Sequence, residues 1–129
     1  MGKVLVDSCI FIDIFRGNKQ LYQDLLKLEI SISSIVYMEL IQGSRDKIEL
    51  TKIDKFLKKF QIIPINQATS NISMELMKKF SISYGLLIPD ALIAGTAIIK
   101  KLPLWTFNHK DFKFIDNLVL FKAAGKDDL

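Results

Sequence analysis

The stretch Lys3-Val4-Leu5-Val6-Asp7 decides the fold. Three consecutive apolar residues, two of them β-branched, read as a short strand buried on both faces, the kind found in parallel sheets covered by helices. An acid ends it. Cys9 to Arg16 then follows with helical spacing, Ile10 with Ile14 and Phe11 with Phe15 four residues apart, and Gly17-Asn18 stops the helix.

The same alternation runs on from there. Gln20 to Leu28 reads as a second short helix through Leu21, Leu25 and Leu28, and Ile30 to Ser33 as a second strand. Ser34 is the predicted N-cap of a helix over Ile35 to Gln42 that stops at Gly43, which puts Glu39 in its second turn. Asp46 to Phe60 is a longer helix with Ile53, Phe56, Leu57 and Phe60 on one face, and Gln61 to Ile65 a third strand. Thr69 to Ser81 is helical, Tyr84-Gly85 turns the chain, and Pro89 suits the first position of a helix reaching about Lys100. Leu104 to Thr106 makes a fourth strand, a loop carries Asn108 and Asp111, and Leu118 to Phe121 is a candidate fifth. Strands alternating with helices predict an α/β fold, a parallel sheet of four to five strands with helices on both faces.

The 129 residues fit one domain spanning 1–129, and a chain of this size buries roughly two-thirds of its unfolded surface. Its longest apolar stretch, Leu86 to Ile99, is interrupted by Pro89 and Asp90 and falls short of the roughly 20 residues of a membrane helix. A soluble protein with no membrane partner is expected, and nothing near Lys3 resembles a secretory signal. The single cysteine, Cys9, excludes an internal disulfide and fits a reducing cytoplasm; it reads as a small apolar residue of the first helix, with a nucleophile as the competing role. Net charge is +4, with lysines clustered at Lys55, Lys58 and Lys59, at Lys78 and Lys79, and at Lys100 and Lys101. That excess suits a polyanionic substrate, although solvated helix faces give the same pattern.

Four acids stand where strand-like runs give way to helix or loop: Asp7, Glu39, Asp90 and Asp111. Each has an ordinary explanation. Asp7 could cap a helix, Asp90 could answer the positive end of a helix dipole beside Pro89, Glu39 could pair with a lysine, and Asp111 could be a loop residue. Together they describe one oxygen-only site at the carboxyl edge of a sheet, the place where open α/β sheets bind ligands. Such donors select hard cations, Mg²⁺ or Mn²⁺, over zinc, and no Cys/His pair exists for zinc. A site of this kind can activate a water, stabilise charge on a phosphoryl oxygen and orient a phosphodiester for in-line attack. Ser8, Ser34, Thr106 and Asn108 flank the acids and could orient ligands, waters or backbone, or act as caps. Asp13 and Arg16 lie close enough in sequence to approach the site, Arg16 to bind phosphate or to pair with Asp13.

Other phosphate chemistries fit less well. There is no Gly-x-x-x-x-Gly-Lys loop and no Gly-x-Gly-x-x-Gly after the first strand. An aspartyl phosphatase wants a second acid two residues after Asp7, where Cys9 stands, and the lone His109 cannot form a pair for metal-free RNA cleavage. A receiver-like phosphoacceptor could use Asp7 and Thr106 but needs an acid after the third strand, where Pro64-Ile65-Asn66 has none. A non-catalytic module that binds RNA or protein stays open as the competing class.

At these residues the chain resembles PIN-domain ribonucleases, most closely the VapC-type toxins of toxin–antitoxin pairs. The resemblance runs through Val4-Leu5-Val6-Asp7-Ser8 into Phe11-Ile12-Asp13, then Ser33 to Leu40 with Gly43 behind. It continues through Tyr84-Gly85-Leu86, Pro89-Asp90-Ala91-Leu92-Ile93-Ala94 and Thr106-Phe107-Asn108-His109-Lys110-Asp111-Phe112. It implies a three-layer α/β/α sandwich, with Mg²⁺ or Mn²⁺ held by Asp7, Glu39, Asp90 and Asp111. It further implies endonucleolytic cleavage of an RNA substrate by metal-activated water, leaving a 5′ phosphate and a 3′ hydroxyl. Implied partners are a second copy in a homodimer and a cognate antitoxin whose C-terminal segment blocks the site and which commonly also binds DNA. The helices around Phe11 and Phe15, and around Tyr37 and Met38, are expected antitoxin or dimer surfaces or core.

Overall fold

The computed structural model describes residues 2–123. Its elements alternate as the pattern requires: β1 (Lys3–Val6), α1 (Ser8–Phe15), α2 (Lys19–Leu26), β2 (Glu29–Ser33), α3 (Ser34–Gln42), α4 (Lys47–Leu57), β3 (Gln61–Ile63), α5 (Gln67–Tyr84), α6 (Ile88–Lys100) and β4 (Leu104–Trp105), then a 3-10 turn at His109–Asp111. The four strands form one parallel sheet in the order β3-β2-β1-β4. Val4, Leu5 and Val6 are each fully buried. Successive strand residues point to opposite faces, so this run shows that both faces of β1 are covered.

Strand order places the site. From β1 the chain moves outward through β2 to β3, then crosses back through α5 and α6 to add β4 on the other flank of β1. The order reverses between β1 and β4, and at such a point the loops leaving the carboxyl ends diverge and open a crevice. Asp7 extends the pairing by donating its backbone N–H to Trp105 O at 3.0 Å.

Local chemistry explains where the boundaries differ from expectation. Ser33, still extended, caps α3 by accepting the Ile35 N–H at 3.2 Å, so Ser34 is the first helical residue and not the cap. β3 ends at Ile63 because Pro64 has no N–H for the ladder. α5 starts earlier and ends later than predicted: Asn66 caps it by accepting the Thr69 N–H at 2.9 Å, and Gly85 closes it at φ 70°, a conformation that favours glycine. Pro89 occupies the second position of α6, leaving Asp90 at the third. The candidate fifth strand is a single parallel bridge, Leu104 to Leu120.

α6 carries Asp90, and its packing fixes that acid. Ala91, Ala94 and Ala97 are buried small residues that admit close neighbours, and Ser73 of α5 donates its buried hydroxyl to Thr69 O at 2.7 Å and Ala91 O at 3.0 Å. A Cβ on Gly95 would overlap that hydroxyl and crowd Ile72 Cγ2 at 3.0 Å. Gly95→Ala is therefore expected to destabilise the fold by about 1–3 kcal/mol, despite alanine's better helix propensity. Chemical denaturation of both proteins checks this.

Candidate active site

Asp7 is the innermost acid, 4% exposed at the end of β1. Both carboxylate oxygens are held by the protein. Oδ1 accepts the Ser8 N–H at 2.8 Å, so Asp7 caps α1, and Oδ2 accepts the Thr106 hydroxyl at 2.8 Å from across the β1–β4 junction. Thr106 in turn accepts the Asn108 N–H at 3.0 Å, tying the loop after β4 to the same carboxylate. Burial drives the pKa of Asp7 up, the Thr106, Ser8 and Cys9 bonds oppose it, and the charge of Asp111 adds to the rise.

Glu39 sits in the second turn of α3, half-buried, and its Oε1 is buried with no hydrogen-bond partner. Burial and then the charge of Asp7 raise its pKa, against a lowering contribution from the Ser8 hydroxyl. Asp90, at the third position of α6, is pushed up to about 6 by burial first and then by the charges of Asp7, Asp111 and Glu39. Asp111 is exposed on the 3-10 turn and acts on both aspartates. The charges of Asp7, Asp111 and Glu39 all act on Asp90, although among the described residues no three acidic, thiol or imidazole groups stand so that they could hold a metal ion. Mg²⁺ needs no closed cage of protein ligands, since that ion keeps several waters and takes one or two carboxylates beside its substrate oxygens.

The flanking residues fall into place individually. Ser8 lies between Asp7 and Glu39, Ser34 begins α3 half-buried, Thr106 is buried on Asp7, and Asn108 is exposed at the start of the 3-10 turn. His109 is exposed beside it. Asp13 accepts Asn18 Nδ2 at 2.7 Å, and Arg16 forms none of the ion pairs of the described residues. Arg16 instead lines a cleft of about 720 Å³ together with Glu39, Ile12, Phe15, Arg45 and Ile53.

Cys9 departs from its apolar reading. Its sulfur lies 3.8 Å from Asp7 Oδ2 and 3.5 Å from Thr106 Oγ1, and it accepts the Phe107 N–H at 3.4 Å. A signal for this was present in the sequence. A capping carboxylate lies over the first turn of its helix, within reach of the side chain two residues on.

The PIN domain family pattern matches residues 4–118, and the chain belongs to that family. It is 37% identical over 118 residues to Ribonuclease VapC1 of Methanocaldococcus jannaschii, covering 87% of this chain and 80% of that one. To Ribonuclease VapC2 of Rickettsia felis it is 37% identical over 97 residues, covering 70% and 72%. Among solved structures it superposes on a toxin–antitoxin complex from Klebsiella pneumoniae with TM-score 0.77 at 34% identity, covering 90% of this chain and 95% of that one. VapBC2 from Rickettsia felis, bound to a DNA fragment from its promoter, gives TM-score 0.79 at 32% identity, covering 92% and 97%.

The charge cluster carries a pH signature. The folded protein holds the Asp90 proton up to about pH 6, whereas the unfolded chain releases it near 4, so folded stability falls as pH rises across that window and stays lower above it. In metal-free buffer Asp90→Asn is expected to melt several degrees higher than wild type at pH 7.5, a gain of the order of 1 kcal/mol after solvent screening of this half-exposed group. The difference should vanish by about pH 4. Thermal melts across pH in chelator read it directly.

Proposed function

We propose that this chain is a Mg²⁺- or Mn²⁺-dependent endoribonuclease and the toxin of a toxin–antitoxin pair. One observation carries the reading: Glu39 Oε1 is buried without a partner, where burial and the charge of Asp7 raise the Glu39 pKa and burial and the charges of Asp7, Asp111 and Glu39 raise that of Asp90. An unpaired buried carboxylate oxygen beside like charges is costly, and a divalent cation offsets both costs at once. Asp7, Glu39, Asp90 and Asp111 would hold it. When bound, it supplies a Lewis acid that activates a water and stabilises charge on the phosphoryl oxygens.

The chain's own residues prepare that chemistry. Thr106 and Ser8 fix Asp7 through both oxygens, so its orientation is set before substrate arrives. Glu39 presents its free oxygen from the first turns of α3, and the N-terminus of α6 supports the ionised form of Asp90 against its neighbours. Asp111, exposed on a short turn, is free to approach the substrate side. The names of the two ribonuclease relatives support RNA as the polymer. Cleavage leaving a 5′ phosphate and a 3′ hydroxyl belongs to the same proposal.

A cognate antitoxin is the proposed regulator, supported by relatives solved as toxin–antitoxin and VapBC complexes. The cleft beside Glu39 suits such a partner, because Ile12, Phe15 and Ile53 give it apolar area while Arg16 offers a positive charge and Arg45 is paired with Glu49. The homodimer is proposed on the α5–α6 face, where Met74 and Ile88 are exposed along a groove of about 680 Å³. Among the described residues no helix is long and apolar enough to cross a membrane. A reducing cytoplasm is proposed because the Cys9 thiol is free and sits within the contacts of Asp7.

Purified protein incubated with total RNA is expected to give discrete cuts with Mn²⁺ or Mg²⁺ and none with chelator. Asp7→Asn, Glu39→Gln and Asp90→Asn should each lower the rate by about 100-fold or more while the fold survives, since each removes a charge-stabilising group. Cleavage equal to wild type in all three would leave a binding module as the better account. Ile12→Glu should weaken antitoxin binding, read by titration calorimetry, because it buries a charge in an apolar contact.

A further inference from the structure

Phe107 is the one aromatic side chain among the described residues with neither a ring partner, nor burial, nor a hydrogen bond. Phe11, Phe15, Tyr22, Phe56 and Phe60 pack together, Phe80, Tyr84 and Phe114 form a second group, and Trp105 meets Phe121. Phe112 is fully buried and Tyr37 donates its hydroxyl to Asp54. Phe107 is 52% exposed.

An exposed phenylalanine is ordinary by itself. This one stands on a backbone fastened to the acid site at three consecutive residues. Thr106 donates to Asp7 Oδ2 at 2.8 Å, the Phe107 N–H reaches Cys9 Sγ at 3.4 Å, and the Asn108 N–H reaches Thr106 Oγ1 at 3.0 Å. The backbone that carries the ring is thus tied to Asp7 and Cys9, on a loop with little freedom to retract. The chain then runs at once into His109 and Lys110, both exposed, with Lys113 exposed beyond Asp111 and the buried Phe112. A flat apolar ring beside cationic groups is what single-stranded nucleic acid uses, bases stacking on the ring while the backbone meets positive charge.

We infer that Phe107 is a base-stacking residue that holds a nucleobase next to the scissile phosphate of a single-stranded RNA. This rests on the ribonuclease reading and adds a substrate contact to it. Stacking is tolerant of base identity, so Phe107 sets the position of the strand more than its sequence.

The test uses a fluorescent single-stranded RNA spanning a cut mapped with wild-type protein, and the same RNA made abasic at each nucleotide flanking the cut. Phe107→Ala should weaken binding in chelator, read by anisotropy, and raise KM by about 5- to 150-fold with kcat little changed. Phe107→Trp should keep wild-type affinity, whereas Phe107→Leu should not. One abasic position should erase the difference between wild type and Phe107→Ala, because the stacked base is then missing from both. Equal binding and KM for wild type and Phe107→Ala, or full rescue by leucine, overturns the proposal while leaving the nuclease intact. So does a variant that cleaves normally but escapes only its inhibitory protein partner, which would make Phe107 a protein contact. If folded wild type neither binds nor cuts RNA, the ribonuclease reading falls first and the stacking residue with it.

Discussion

A buried carboxylate at the junction of two paired strands, β1 and β4, is the constraint on which the rest depends. Asp7 ends β1 in the crevice opened where strand order reverses, and it is kept there by bonds from Ser8 on one side and Thr106 on the other. Each bond also does structural duty, since the first caps α1 and the second joins the loop after β4 to the sheet. Burying an acid at this junction sets the electrostatic problem for everything that follows. Glu39, Asp90 and Asp111 come from three further elements to the same neighbourhood, and burial first, then the charges of its neighbours, push Asp90 up to about 6. Gathering like charges and leaving one buried oxygen unpartnered is costly, and that cost is what the proposed cation would offset.

Much of this was legible in the residues. Val4-Leu5-Val6 announced a doubly covered strand, and the acids after strands and on helix starts announced their shared edge. Boundaries were less legible because capping is decided by single side-chain bonds: Ser33 and Ser34 are equivalent in composition, and only the extended backbone at Ser33 shows which one caps. The sequence also made Leu118 to Phe121 a candidate strand, but it meets the sheet edge through two backbone bonds to Leu104 and the Phe121 ring on Trp105, too few bonds for a ladder. Cys9 looked apolar because a thiol's role depends on what faces it, and its neighbours Thr106 and Phe107 lie almost a hundred residues away.

The lysine clusters show how a sequence signal divides once contacts are known. Lys58 pairs with Asp54 and Lys78 with Glu75 along their own helices, while Lys59 and Lys79 lie over Phe56 and Phe80. Exposed helix pairs of this kind stabilise little and mark solvated faces. Arg45 is paired with Glu49 in the same way, so the positive charge beside the acids is Arg16, in the cleft with Glu39, and Lys110, on the turn that carries Asp111.

Whether Asp7, Glu39, Asp90 and Asp111 form one cation site is decided by a calorimetric titration of Mn²⁺ at pH 6 and pH 8. Run in buffers of different ionisation heat, it counts protons released on binding. The account predicts saturable binding that expels a fraction of a proton at pH 6, where Asp90 is partly protonated, and almost none at pH 8, with both signals lost in Glu39→Gln. Binding with the same proton count at both pH values, or unchanged in Glu39→Gln, would contradict it.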